Sequence, residues 1–187
     1  MRVKSKITSK FGAGVRMNTG LYAPSKPRGL WSMSCRRDGE LIWHEDWENI
    51  ITTAGLNYLI GTALSGSAQT TTWYIGLVNG ATPTFAAADT SASHGGWTEN
   101  TSYDEASRVA FTDGGESGGS LNNSAAVAQF TINATATIGG AFLISNNTKG
   151  GTTGILYAEG DFATDRSVID NDVLEVTATF SVADDGV

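Results

Sequence analysis

The stretch Val173-Leu-Glu-Val-Thr-Ala-Thr-Phe-Ser-Val182 decides the fold of this 187-residue chain. From Leu174 to Val182 every second residue is apolar, and the positions between them hold Glu, Thr or Ser. Because successive side chains of a strand point to opposite faces, this alternation predicts a strand with one face in a core and the other towards solvent. The turn-forming residues Asp170-Asn-Asp172 come directly before it and predict the turn from which the strand begins.

The chain from residue 72 onwards shows further strand patterns. Alternation at 126–133 predicts a strand with Ala126, Ala128, Phe130 and Ile132 on its apolar face. The near-continuous apolar run at 138–144 predicts a strand buried on both faces. Shorter strands are predicted at 39–44, 73–78, 108–111 and 155–158, and loops at 114–120 and 146–154. Six or more strands separated by turn signals predict a mainly β body, an antiparallel β-sandwich of jelly-roll-like type.

One segment has the periodicity of a helix. Apolar residues recur at helical spacing over 53–64, and they are Leu56, Leu59, Ile60, Ala63 and Leu64. Thr52 or Thr53 can cap the start of the helix, and Gly66 fits its end. We expect the apolar face of this short helix to pack on an edge or an end of the sandwich.

The charge of the chain is divided by position. Residues 1–37 hold nine of the twelve Lys and Arg residues and no Asp or Glu, whereas 38–187 hold all nineteen acidic residues. The first segment contains two of the three prolines and little apolar periodicity, so it cannot fold alone. We therefore expect an extended basic N-terminal arm, 1–37, on a β-sandwich body, 38–187. The residues expected to bind a partner are Arg2, Lys4, Lys6, Lys10, Arg16, Lys26, Arg28, Trp31, Arg36 and Arg37. For Trp31, packing in the core stays open as an alternative.

Composition narrows the classes of function. The single cysteine, Cys35, excludes a disulfide within the chain and a cysteine-based zinc cluster, and we expect its thiol to be buried or inert. No run of 18 apolar residues occurs, so no membrane span is predicted. The basic N-terminus is not followed by an apolar stretch, so we expect no secretory signal.

Candidate catalytic and metal-binding motifs are weak. His44 lies in His-Glu-Asp-Trp-Glu48, which lacks the second His of a zinc-protease helix. Asp89, His94 and Glu99 could bind a divalent ion, but the alternative is a loop whose polar side chains satisfy their own backbone. In 148–154 the lysine precedes the glycines, which is not the order of a phosphate-binding loop. We expect no enzymatic activity, no metal and no cofactor.

Several stretches in order resemble one family. They are Asn49-Ile-Ile-Thr-Thr-Ala-Gly-Leu-Asn-Tyr-Leu59, Trp73-Tyr-Ile-Gly-Leu-Val78, Ala88-Asp-Thr-Ser91, His94-Gly-Gly-Trp-Thr-Glu-Asn-Thr-Ser-Tyr103, Phe130-Thr-Ile-Asn-Ala-Thr-Ala-Thr-Ile-Gly-Gly-Ala-Phe-Leu143 and Thr148-Lys-Gly-Gly-Thr-Thr-Gly-Ile-Leu-Tyr157. Over about three quarters of its length the chain is similar to small structural proteins of tailed bacteriophages. The resemblance implies a non-enzymatic virion component that is made in the host cytoplasm, and it transfers no functional residues.

Within that class we expect a capsid decoration (cement) protein on the capsid surface. Its arm would dock on the major capsid protein or another virion protein, and its body would form a homo-oligomer, with a trimer favoured. One alternative is a tail, baseplate or fibre-attachment component. Another is a surface carbohydrate-binding module that uses exposed Trp residues. We expect no nucleic-acid partner, because the acidic body would repel phosphates.

Overall fold

The computed structural model describes residues 27–182, which form eleven strands and one helix. In chain order the elements are β1 (Arg28–Arg37), β2 (Glu40–Glu48), β3 (Ile50–Ile51), α1 (Thr53–Leu64), β4 (Trp73–Asn79), β5 (Glu99–Asn100), β6 (Val109–Phe111), β7 (Ser120–Asn122), β8 (Ala128–Thr131), β9 (Ala136–Ile144), β10 (Leu156–Val168) and β11 (Val173–Ser181). The mainly β fold with one helix is thus confirmed.

The strands form two antiparallel sheets. The first has the order β2-β1-β11. On the edge of β11 that faces away from β1, β7 and β8 pair with successive parts of the strand. The second has the order β3-β10-β9-β4, and β5 and β6 pair with β4. Side chains from both sheets, such as Met33 of β1 and Leu77 of β4, meet in one core. This arrangement confirms the predicted antiparallel sandwich.

β11 lies in the middle of the first sheet, as its sequence pattern predicted. Leu174, Val176 and Ala178 are fully buried, and the residues between them are half-exposed. Val182 departs from the pattern because it follows the end of the strand and is 46% exposed. The preceding turn is also confirmed, with Asn171 in the left-handed region at φ 67°, which asparagine tolerates.

A side-chain amide fills the gap between β7 and β8. The two strands are separated by residues 123–127, of which 124–127 are exposed. Asn123 is fully buried beside β11. Its Nδ2 donates to the carbonyl of Val176 at 3.0 Å, and its Oδ1 accepts from the N–H of Ala178 at 2.8 Å. The amide therefore replaces the strand partner that β11 lacks here.

β9 is buried on both faces, as predicted. Its inner face joins the main core, and its outer face belongs to a second, smaller cluster formed by Val78, Trp97, Phe142, Ile144 and Leu156. Phe85 and Trp97 reach this cluster from the loop between β4 and β5. A loop rather than a third layer of regular structure therefore covers the outer face of the second sheet.

The predicted boundary of the N-terminal arm at residue 37 is wrong. Residues 28–37 form β1, which pairs with β11 on one side and β2 on the other. Trp31, Met33 and Cys35 alternate along it and are fully buried. This period of two was obscured by the basic residues that flank it in the sequence. The basic residues Arg2, Lys4, Lys6, Lys10, Arg16 and Lys26 lie outside the described residues.

β2 is longer than predicted. Asp46 and Glu48, which follow the predicted end of the strand at residue 44, lie on its exposed side. The chain then passes through Asn49 into β3 of the other sheet, and Glu45 forms an ion pair with Arg166 of β10. This crossing connects the two sheets along one side of the sandwich. The short strands β3, β5 and β7 were not predicted, because two or three residues show no periodicity.

Helix α1 has its predicted bounds, but the face that it turns to the sheets is not the apolar face that the sequence predicted. Thr52 caps the start, its Oγ1 accepting from the N–H of Gly55 at 3.0 Å. Gly55 is buried so closely against β10 that a Cβ there would lie 2.3 Å from the carbonyl oxygen of Tyr157. This contact turns Gly55 and Tyr58 towards the sheets. Of the five residues predicted to be buried, only Leu59 is half-buried, and the other four are exposed.

Candidate interaction surface

The predicted partner-binding residues in the described part of the chain are mostly structural. Trp31 is fully buried and stacks on Trp47 with a centroid distance of 5.9 Å, so its interface role is wrong and core packing is correct. Arg36 pairs with Glu175 of β11 at 2.8 Å. Arg28 is exposed at the start of β1. The side chains of Arg36 and Arg37 are paired but still 42 and 38% exposed.

Arg37 holds a buried carboxylate. Its Nε and one terminal nitrogen donate to the two oxygens of Asp172 at 2.8 and 2.9 Å, and the N–H of Ile169 donates to the same carboxylate. These hydrogen bonds lower the pKa of Asp172, and the hydrogen bonding from Arg37 has the largest effect. Burial raises the pKa of the neighbouring Cys35 thiol to about 12, and the charge of Asp172 adds to the effect. The expected buried thiol is confirmed.

The other basic side chains of the body are engaged internally as well. Arg108, almost fully buried, pairs with Glu99 at 2.7 Å, and Arg166 pairs with Glu45. Lys149 donates to the carbonyls of Tyr103 and Glu105 and lies 4.0 Å from the centre of the Tyr103 ring. Between residues 27 and 182, five of the six basic residues therefore have internal partners, and Arg28 is the sixth.

The acidic residues have a different distribution. The same part of the chain contains seventeen of them. Nine are exposed, namely Asp38, Glu40, Asp46, Glu48, Asp104, Asp113, Glu116, Asp161 and Asp170. The surface of the body is therefore predominantly negative.

The loop residues considered as metal ligands do not converge. His94 stacks on Trp97 with a centroid distance of 4.0 Å, Asp89 accepts from the N–H of Ala86, and Glu99 binds Arg108. Arg108 also donates to the carbonyls of Asn146 and Gly151, so it fixes the predicted loop at 146–154. Within the described range, no three His, Cys, Asp or Glu residues are grouped as metal ligands would be.

Sequence patterns gave no signal for one buried acid, Glu159 of β10. Its side chain is fully buried on the outer side of the second sheet. Oε2 accepts from Trp97 Nε1 at 3.0 Å, whereas Oε1 has no hydrogen-bond partner among the described residues. Burial, with the nearby Asp89 carboxyl as the second cause, raises the pKa of Glu159 to about 8. The group is therefore mainly protonated at neutral pH.

An apolar groove runs between α1 and the end of the first sheet. Two adjoining cavities of about 240 and 280 Å³ form it and share Leu59, Leu121, Tyr157 and Phe180. Pro27, Arg28 and Glu116 line its outer part. We call this feature the end groove. The end groove therefore lies beside Pro27, where the described part of the chain begins.

Beside the groove, α1 presents apolar side chains to solvent. Leu56, Ile60 and Leu64 are 38, 59 and 81% exposed, and Leu59 of the same helix lines the end groove. We call these three residues the exposed helix face. Grouped exposed apolar side chains commonly mark an interaction site. The sequence pattern located these residues but assigned them to the core.

The carbohydrate-binding alternative required exposed Trp rings. Trp31, Trp47 and Trp97 are buried, and Trp43 and Trp73 are half-buried with edge contacts to Phe162 and Tyr58. All five Trp residues lie in the described part of the chain, and none presents a fully open ring.

No protein-family model matches the chain, and a search of curated proteins finds no significant match. From residue 27 to 182, none of the helical structure is long and apolar enough to span a membrane.

Proposed function

We propose that this chain is a structural protein of a tailed-phage virion, namely a capsid decoration protein. Its basic N-terminal segment docks on acidic surfaces of the major capsid protein, and its β-sandwich body lies on the shell as a homo-oligomer, with a trimer favoured. The sequence resemblance and the β-sandwich support the class of protein. The observation that carries the docking role is the division of charge between the N-terminal segment and the body.

This division is sharper in the structure than in the sequence. Residues 1–26 contain six basic residues and no acidic ones, whereas five of the six basic residues in 27–182 have internal partners. Within the described body the basic side chains are therefore mostly engaged by internal partners, and Arg28 is the exception. A basic segment that becomes ordered on a partner wraps a large surface, and salt weakens the electrostatic part of its binding.

The docking role can be tested in the full chain by changing charge alone. We expect replacement of Lys4, Lys6 and Lys10 by Gln to reduce the occupancy of the protein on phage particles at least tenfold. The matched control replaces the same three residues by Arg, which conserves the charge and should preserve occupancy. Occupancy is measured by quantitative mass spectrometry of particles that lack the native gene and are complemented with each variant.

Copy number in the same measurement distinguishes the shell from the tail. Hundreds of copies per particle support the shell, and a handful would place the protein in the tail. Equal occupancy of the Gln and Arg variants would contradict docking through the basic segment.

A further inference from the structure

We propose that residues 17–26 pack on the exposed helix face and into the end groove of their own chain. The observation behind this inference is that the chain meets the body at Pro27, on the rim of an apolar groove beside an uncovered apolar helix face. The inference goes beyond the proposed function and does not depend on it. It assigns an occupant to this surface.

The distances allow this packing. Pro27 and Leu59 line the same cavity, so the preceding residues are attached directly beside α1. An extended chain spans at most about 3.3–3.6 Å per residue, so Tyr22 can lie up to about 17 Å from Pro27. The twelve residues of α1 are about 18 Å long. Nearly the whole exposed helix face is therefore within reach of Leu21 and Tyr22.

The chemistry of the two partners matches. Residues 17–26, Met17-Asn-Thr-Gly-Leu-Tyr-Ala-Pro-Ser-Lys26, contain five apolar residues and a single charge, at Lys26. Residues 1–16 contain the other five basic residues of the segment. Helix α1 contains no charged residue, and Glu116 lies on the groove rim to complement Lys26. The apolar part of the segment is thus the part nearest to the apolar surface.

Residues 17–26 are covalently attached to the body at Pro27, and this favours them over a second copy of the chain as the occupant of the groove. A short covalent tether produces an effective concentration in the millimolar range, which free copies do not reach. In addition, a helix about 18 Å long and 10 Å wide is far smaller than the roughly 800 Å² that each partner contributes to a stable dimer.

Disulfide trapping in the full chain tests the inference. The test variant is Tyr22→Cys with Ile60→Cys, and oxidation at about 1 µM should join the two residues within one chain. The native Cys35 can stay, because it is buried. The control is Tyr22→Cys with Asp170→Cys. Asp170 precedes β11 at the end opposite to Phe180, about 30 Å away along the strand, which is beyond reach. Linked peptides are identified by mass spectrometry.

An intramolecular link in the test variant, with at least a tenfold lower yield in the control, supports the inference. No link, equal yields, or disulfide-linked dimers alone would overturn it. If particle occupancy is insensitive to the Lys→Gln changes while this link forms, only the proposed function fails.

A second measurement covers the case in which the cysteine variant does not fold. Leu21→Asp with Tyr22→Asp should uncover the groove and raise binding of an apolar fluorescent dye severalfold. The control, Val3→Asp with Ile7→Asp, should leave dye binding unchanged. Equal dye binding by the two variants would also count against the inference.

Discussion

At the scale of single residues, Glu159 is the least expected feature of the chain. Its carboxyl lies under the loop between β4 and β5, where Trp97 donates to one oxygen. An ionised carboxylate in such a place is costly, so the protonated form prevails in the folded chain. The group thereby links the stability of the second, smaller cluster to pH.

The sign of this pH dependence follows from proton counts. Between pH 4.5 and about 8 the folded chain keeps a proton on Glu159 that the unfolded chain releases. The free energy of unfolding should therefore fall as pH rises through this range, by an amount on the order of 5 kcal/mol, and Glu159→Gln should abolish most of the fall. Urea unfolding at pH 5, 7 and 9 measures it. The exposed Glu48→Gln serves as control and should keep the native slope. A native slope in the Glu159 variant would show that the carboxyl is ionised when buried.

Two phenylalanines predicted to lie in the core differ in their surroundings. Phe130 is fully buried against Tyr103, whereas Phe180 is half-buried and lines the end groove. We expect Phe130→Ala to cost about 3–5 kcal/mol of the free energy of unfolding, and Phe180→Ala less than about 2 kcal/mol. Chemical denaturation of the two variants compares them directly. Equal losses would mean that Phe180 is as enclosed as Phe130.

At the scale of elements, β1 shows that charge is a poor guide to the boundary of the arm. The segment 28–37 is basic, but Trp31, Met33 and Cys35 within it have the spacing of a buried strand. In a strand the charged side chains can all lie on the face or end away from the core, as Arg36 and Arg37 do through their pairs with Glu175 and Asp172. Net charge describes the solvent side of an element and does not determine whether its other side is buried.

Truncation distinguishes the two boundaries. A chain that begins at Pro27 retains β1 and should fold cooperatively. A chain that begins at Asp38 lacks the strand between β11 and β2, together with three core side chains, and should not fold. Circular dichroism and urea unfolding of the two chains provide the measurement. A cooperative transition in the shorter chain would show that β1 is dispensable.

Helix α1 illustrates a different limit. Its bounds follow from local signals in the sequence, the Thr52 cap and Gly66, and both are confirmed. The face that the helix turns to the sheets depends on the close approach of Gly55 to Tyr157. These two residues are about a hundred positions apart in the sequence. Apolar periodicity assigned the wrong face to the core, because the residue that makes the tightest contact has no side chain for a hydrophobic pattern to detect.

At the scale of the whole molecule, period-two patterns predicted the longer strands and the sandwich, since burial on one face leaves a direct record in the sequence. The end groove could not be predicted in the same way. Leu59, Leu121, Tyr157 and Phe180 come from four distant segments, and only the packed fold brings them together. The charge division, by contrast, is visible in the sequence, and the structure adds that the basic residues of the body are held mainly by its own carboxylates and carbonyls.

Asn123 has a consequence for how this molecule can be altered. Its amide supplies hydrogen bonds to the backbone groups of Val176 and Ala178. These groups of β11 therefore keep their partners whatever path the chain takes through 124–127. The length of that loop is therefore uncoupled from the integrity of the sheet. A foreign peptide inserted between Ala125 and Ala126 would be displayed on the outside of the body, with the fold beneath it unchanged.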